Sequence, residues 1–349
     1  MRDQRRRSHH DTTVSYRLIV AEPTLLISKS DVERLLDIRS CITAVEQAFR
    51  QRGEGKLASS AVLGIHVPGG GFHAKAAVLD LSRRYFAVKI NANFPDNPST
   101  RGLPTVQGVL VLFDATNGLP LAIMDSMAIT TLRTAAASAV AASYLARAGS
   151  RTATFVGCGV QGRAHLAAIS EVVELQRAFV FDQNKVKATA FVKEMRSRYP
   201  FEILLADDIR AATSASDIIV TTTSAERAFI EINDVAPGAF IAAVGADNEH
   251  KQEISETLLA QNAVIVDDLE QCATIGDLHH AITAGVMTRS HVRATLDEVV
   301  TGQKLGRLSN GEIIIFDSTG VAIEDVAAAS VIYERALENA TRRTFDLVS

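Results

Sequence analysis

Hydrophobic spacing changes character twice along the chain. Ser28-Lys-Ser-Asp31 followed by Val32, Leu35, Leu36 and Ile38 predicts a capped helix start. Ile42, Val45, Ala48 and Phe49 recur at helical spacing and predict a second helix from about Ser40 to Arg50. Short β-type runs then take over: Val62–Val67, Gly71–Val78, Tyr85–Ile90, Gln107–Phe113 and Leu119–Met124, punctuated by Gly, Pro and Asn. Asp114-Ala-Thr-Asn-Gly118 between the last two predicts a hairpin loop. The first part of the chain therefore predicts a helix pair and a mostly antiparallel sheet. Ser126 to Ala148 follows as an Ala-rich helix, expected to stop at Gly149.

From Arg151 the rhythm becomes strand–helix–strand. Thr152–Val156, Ala178–Phe181, Ile218–Thr222, Phe240–Val244, Ala263–Val266 and Glu312–Phe316 are strand-like, while Gly162–Glu174 and Lys185–Arg198 are helical. Alternation of this kind implies a parallel sheet with helices on both faces, so the fold class is α/β. Ile323–Ala336 predicts a closing helix.

Composition narrows the class. The 349 residues carry 47% hydrophobic and 22% charged side chains, which fits a globular protein. The net charge is −4, from 36 basic and 40 acidic residues, so no basic excess is available for a nucleic-acid partner. Cys41, Cys158 and Cys272 are far apart and form neither a disulfide framework nor a Cys-x-x-Cys pair, so a cytoplasmic setting is expected. No apolar run reaches membrane-spanning length. The Arg-rich start up to Arg17 lacks the apolar core of a secretory signal and is expected to be a mobile arm over residues 1–20, or to follow a start codon placed too far upstream.

Gly157-Cys-Gly159-Val160-Gln161-Gly162 is a full G-x-G-x-x-G placed between an apolar strand and a helix. In that context Gly157 makes a tight turn, Gly159 admits a pyrophosphate to the backbone, and Gly162 lets helix and strand pack closely. Asp182, at the end of the next strand, is placed to accept bonds from an adenine-ribose diol and to repel a 2′-phosphate. NAD is therefore expected over NADP, although Lys185 and Lys187 stand nearby. Upstream, Lys75, Lys89 and Arg133 are cations inside otherwise apolar stretches, where charge is rarely left unpaired. They read either as a carboxylate-binding pocket or as solvent-facing and ion-paired positions.

Phe155-Val-Gly-Cys-Gly-Val-Gln-Gly162, Thr130-Thr-Leu-Arg133-Thr-Ala-Ala-Ala and Phe316-Asp-Ser318-Thr-Gly320 resemble the ornithine cyclodeaminase/μ-crystallin family, as do Asn93-Phe-Pro, Gly102-Leu-Pro-Thr105 and Val244-Gly-Ala-Asp247. The resemblance runs from about residue 25 to the closing helix. It implies a Rossmann NAD-binding domain over 127–318, and an α+β substrate-binding and dimerisation domain built from both chain ends, 21–126 and 319–349. It also implies a homodimer and NAD(P) chemistry on small α-amino or α-imino acids. By the same resemblance Lys89 and Arg133 match substrate-carboxylate contacts, Arg133 also lying near the nicotinamide. Thr105, Val160, Gln161, Asp182, Thr223, Val244, Lys251 and Ser318 match cofactor positions, and Asp247 matches the catalytic acid/base. From the residues alone, Asp247 is either a ligand-facing carboxylate at a strand's C-terminal end or a helix N-cap.

Two departures bear on substrate. Cyclodeaminases place an Arg in the strand before Lys75, and Ser59–Gly64 contains none. Where they carry a Glu, this chain has His73-Ala-Lys75, whose positive charge suits a second acidic group or replaces the missing anchor. His279-His280 has no third ligand at metal spacing, so no metal site is expected. The expected function is an NAD(H)-dependent oxidoreductase acting on the C–N bond of a small amino or imino acid. Lys75, Lys89, Arg133 and His73 would serve the substrate, and Asp247 and Lys89 the chemistry. Ornithine cyclodeaminase with recycled NAD is the first alternative and a non-catalytic, crystallin-like binding protein the second.

Overall fold

The computed structural model describes residues 23–56, 60–338 and 343–347; the Arg-rich arm lies outside them. β1 (Thr24–Ile27) leads into α1 (Lys29–Leu35) and α2 (Ile38–Gly53). Ser28 caps α1 through a reciprocal capping box with Asp31, and Asp37 caps α2 by accepting from Ser40 N at 2.9 Å. These caps set α2's start two residues earlier than its apolar spacing predicted.

The next elements are β2 (Ser60–Val67), β3 (Gly70–Asp80), β4 (Arg84–Asn93), the short α3 (Asn97–Thr100), β5 (Val106–Asp114) and β6 (Pro120–Asp125). Their pairing is antiparallel throughout, and β6 in turn pairs β1 in parallel. Register puts Lys75 directly opposite Lys89, so the two ammonium groups share one face of the sheet. The opposite face carries Leu63, Ile65, Phe72, Ile90 and Val109, all between 41% and 58% exposed. β1 was not anticipated, because four residues are too few to show a period.

Asp125 caps α4 (Ser126–Leu145), which stops before Gly149. Leu145 O accepts from Arg307 Nε at 2.8 Å, and Arg147 is drawn to Asp217 at 2.5 Å, so the last turn is satisfied from outside the helix. Gly149, at φ +80°, makes the turn that follows.

The second half comprises β7 (Thr152–Val156), α5 (Val160–Val172), β8 (Arg177–Phe181), α6 (Lys185–Arg196), β9 (Glu202–Leu205), α7 (Ile209–Ser214) and β10 (Ile218–Thr221). β11 (Glu226–Ile230) pairs β13 (Gln252–Ile254) apart from the main sheet, and β12 (Phe240–Ala243) lies between them in sequence. Then come α8 (Glu256–Ala260), β14 (Ala263–Val266), α9 (Leu269–Ile275), α10 (Asp277–Thr283), β15 (Ala294–Thr295), α11 (Leu296–Val300) and β16 (Ile314–Asp317). Eight parallel strands assemble in the order β15-β14-β16-β12-β10-β7-β8-β9. The order reverses between β7 and β10, and the crevice outside that switch point is where doubly wound sheets place ligands.

The chain returns through α12 (Ala322–Leu337) to the first sheet, where α12 packs on β3 and β4, and β17 (Thr344–Phe345) pairs β1. α12 and α4 belong to one apolar core that also includes side chains from both sheets. Among the described residues no helix is long and apolar enough to cross a membrane.

Candidate active site

The glycine loop sits at the switch point. Gly157 has φ +101°, and a side chain there would meet Thr222 at the end of β10. A Cβ on Gly162 would overlap the Gly157 carbonyl oxygen, so only glycine lets α5 start this close to β7. Beside Gly159 the space is open. No side chain caps the N-terminus of α5, unlike α1, α2, α4 and α6. Gln161 Oε1 in its first turn is buried without a partner. Unpaired N–H groups, an open backbone and an orphaned acceptor fit a dinucleotide diphosphate and its ribose.

Asp182 follows β8 and accepts from Cys158 N and Asn184 N, each at 2.8 Å, one oxygen per donor. The carboxylate thus holds the glycine loop. Lys185 and Lys187 open α6 beside it.

The three upstream cations converge. Lys89 is 4% exposed and lies 2.8 Å from Asp325. Arg133, on α4, reaches Glu324 at 2.7 Å and Asp325 at 3.1 Å. Lys75 Nζ donates to Thr319 O at 3.1 Å and Gly320 O at 2.6 Å. Glu324 and Asp325, in the first turn of α12, are themselves buried. Lys89 and Arg133 therefore meet two carboxylates in direct contact, Lys75 rests on two carbonyls, and the buried Asp267 behind that loop brings a third carboxylate to the cluster. Burial, Arg133 and Lys75 push the Lys89 ammonium down to about 7 despite Asp325. Burial, then Arg133, also lowers Lys75.

Glu324 and Asp325 were missed from sequence. Their signal is an acidic pair inside an otherwise apolar helix, easily taken for helix-dipole residues. Asp267 was missed too. It is buried after β14 and accepts from Ser318 Oγ and Thr319 Oγ1 at 3.1 Å and from Gly320 N at 2.6 Å. That bracing shapes the loop whose carbonyls take Lys75. Buried Glu253 does likewise for the opposite wall, joining Thr221 Oγ1, Thr223 N and Gly245 N at 2.6–2.7 Å.

Asp247 lies beyond β12 in a bend followed by β13, so no helix is there for it to cap. Its carboxylate is exposed and takes Lys251 Nζ at 2.7 Å. Lys251, expected at the cofactor, thus sits on the carboxylate in this structure. His73, one same-face step from Lys75 on β3, feels the Asp247 charge, which opposes the lowering of its imidazole by burial, Lys75 and His66. The Asp247 carboxylate is thus near enough for its charge to act on His73. Thr223, Val244 and Ser318 follow β10, β12 and β16 at the C-terminal edge of the parallel sheet. Thr105 stands before β5, its carbonyl accepting from Phe94 N at 2.8 Å. Among the described residues no three His, Cys, Asp or Glu side chains gather to hold a metal. His280 faces Lys251 O at 2.9 Å and stacks edge-on with His279.

The glycine loop at the switch point defines a Rossmann-like α/β protein, and the first turn of α12 gathers a cluster of buried cations. The chain belongs to the ornithine cyclodeaminase/μ-crystallin family, whose sequence profile matches residues 22–340. It is 37% identical over 316 residues to alanine dehydrogenase of Archaeoglobus fulgidus, covering 90% of this chain and 95% of that one. An archaeal alanine dehydrogenase dimer with bound NAD superposes with TM-score 0.89 at 35% identity, over 94% of this chain and all of that one. The Δ1-pyrroline-2-carboxylate reductase of Thermococcus litoralis, in complex with NADH and L-proline, superposes with TM-score 0.87 at 34% identity, over 92% of this chain and all of that one.

Proposed function

We propose that the protein is an NAD(H)-dependent oxidoreductase acting on the C–N bond of a small α-amino or α-imino acid. The observation that carries this reading is the cluster of buried cations, Lys75, Lys89 and Arg133, in a chain whose glycine loop leaves the N-terminus of α5 without a side-chain cap. A bound α-carboxylate would be held by these cations through charge-assisted hydrogen bonds. Gly157, Gly159, Gly162, the N–H groups of Val160 and Gln161, and Asp182 would hold NAD, with Thr105, Thr223, Val244, Lys251 and Ser318 around it. Bound there, the nicotinamide supplies or takes the hydride. Fixing the carboxylate at three cations fixes distance and angle at the α-carbon. Asp247 exchanges a proton with the substrate nitrogen, which requires Lys251 to yield its hold.

The bare apolar face of the first sheet, with Leu63, Ile65, Phe72, Ile90 and Val109, is the surface we assign to a homodimer. Cys41, Cys158 and Cys272 are buried and unpaired, which supports a reducing cytoplasmic setting.

The test is NADH consumption with α-keto acids plus ammonium and with cyclic imino acids, and NADH formation with amino acids. Ammonia release from ornithine without net NADH change would instead establish a cyclodeaminase. NADH binding without turnover of any substrate would establish a binding protein.

A further inference from the structure

We propose that the substrate carries a second, distal carboxylate, held by His73 and Asn91: a short dicarboxylic imino or keto acid. The inference rests on the oxidoreductase reading above and deepens it. Register along β2, β3 and β4 places side chains in rows on the face that bears the anchor. Lys75 and Lys89 form the first row, His73 and Asn91 the second. His66 and Asn93 lie in the third, both level with Gly71. Same-face rows are about 6.6 Å apart, a step that a four- or five-carbon diacid and its hydrogen bonds can span.

The second row presents donors. Asn91 Oδ1 accepts from Ser126 Oγ at 2.6 Å, which leaves Nδ2 as the group it offers. A side chain at Gly108 would overlap both Asn91 and Ser126, so the glycine keeps that arrangement open. His73 is partly buried, with the His66 ring edge-on at 6.1 Å, Lys75 and Lys89 in the adjoining row, and the Asp247 charge acting on it. None of the six positions in these rows is acidic, and Asp247 is engaged by Lys251. A distal ammonium would face the donors His73 and Asn91 in this row, and an alkyl side chain would cover polar groups without satisfying them. A carboxylate meets both donors, and its charge favours protonation of His73. In the reductive direction the imine carbon takes a hydride from NADH and the nitrogen a proton, so C=N becomes C–N. Starting from keto diacid and ammonia, one water leaves.

The experiment compares oxaloacetate and 2-oxoglutarate with pyruvate and 2-oxobutyrate, each with ammonium and NADH. Thermal shift with NADH plus unreactive succinate or butyrate reads binding apart from chemistry. The diacids should exceed the monoacids at least about tenfold in kcat/KM, as a charged hydrogen bond warrants. Succinate should stabilise more than butyrate. His73→Leu should collapse the diacid-to-monoacid ratio, His73→Gln should restore part of it, and KM for diacids should rise with pH as His73 loses its proton. Monoacid preference, or equal loss for both classes in His73→Leu, overturns the proposal while the oxidoreductase reading stands. Absence of turnover together with equal shifts from succinate and butyrate overturns both. Absence of turnover with a succinate-specific shift that His73→Leu abolishes overturns only the oxidoreductase reading.

Discussion

Replacing Lys89 with Met separates substrate anchoring from folding. The wild-type cluster holds Lys89 and Arg133 against Glu324 and Asp325, with Lys75 on the Thr319 and Gly320 carbonyls. Without Lys89, Arg133 still lies 3.1 Å from Asp325 and 2.7 Å from Glu324, so neither buried carboxylate is left alone. The folding cost should therefore stay below the roughly 3–5 kcal/mol of a stranded buried charge. What disappears is one cation available to a substrate carboxylate. A hydrogen bond to a charged group contributes about 1.5–3 kcal/mol, so kcat/KM should fall roughly 10–150-fold. The pH profile carries a second signature. Lys89 is pushed down to about 7, and a bound carboxylate draws its proton affinity back up, so KM in the wild type should rise above that pH. Between about 7 and the ordinary lysine range near 10.4, the unfolded chain binds the proton that folded Lys89 has lost. For this group alone, stability thus increases with pH across that window. Lys89→Met should abolish both slopes. Steady-state kinetics across pH and thermal melts of both proteins are the assay. An unchanged KM, or a KM profile that keeps its rise in the variant, refutes the reasoning.

Arg133→Met should behave differently, because it strands Glu324; melting should show a loss of about 3–5 kcal/mol along with activity. Asp247→Asn should lower kcat by about 10²–10⁴-fold with NADH affinity, read by fluorescence titration, changed only a few-fold. Asp182→Ala should narrow the NADH-over-NADPH preference and weaken both cofactors, since Cys158 N and Asn184 N lose their acceptor; a wild type that uses NADPH at least as well as NADH contradicts the role. Ile65→Lys should shift sedimentation from dimer to monomer by placing a charge on the exposed sheet face.

Local physics was legible in the chain. Gly157, Gly159 and Gly162 between an apolar strand and a helix, with Asp182 ending the next strand, follow from near-neighbour sterics and hydrogen bonding, and the structure places them at the switch point of the parallel sheet. The antiparallel runs from Ser60 to Asp125 followed from their period, with ends shifted by one to three residues where pairing extended them. β1, β15 and β17 were hidden because two to four residues carry no period and depend on a distant partner. The site divides the same way. Lys75, Lys89 and Arg133 stood out as cations in apolar surroundings. Their counter-charges Glu324 and Asp325, more than 190 residues beyond Arg133, resembled ordinary first-turn acids until α12 returned to the first sheet. The helix-cap reading of Asp247 fell only when the chain after it was seen to run into β13 without forming a helix. Residue identity and short spacing determine turns, caps and periods, because those energies act within a few residues. Which charges face one another is decided by chain return, because a buried ion pair exists only once packing has removed the water between its partners.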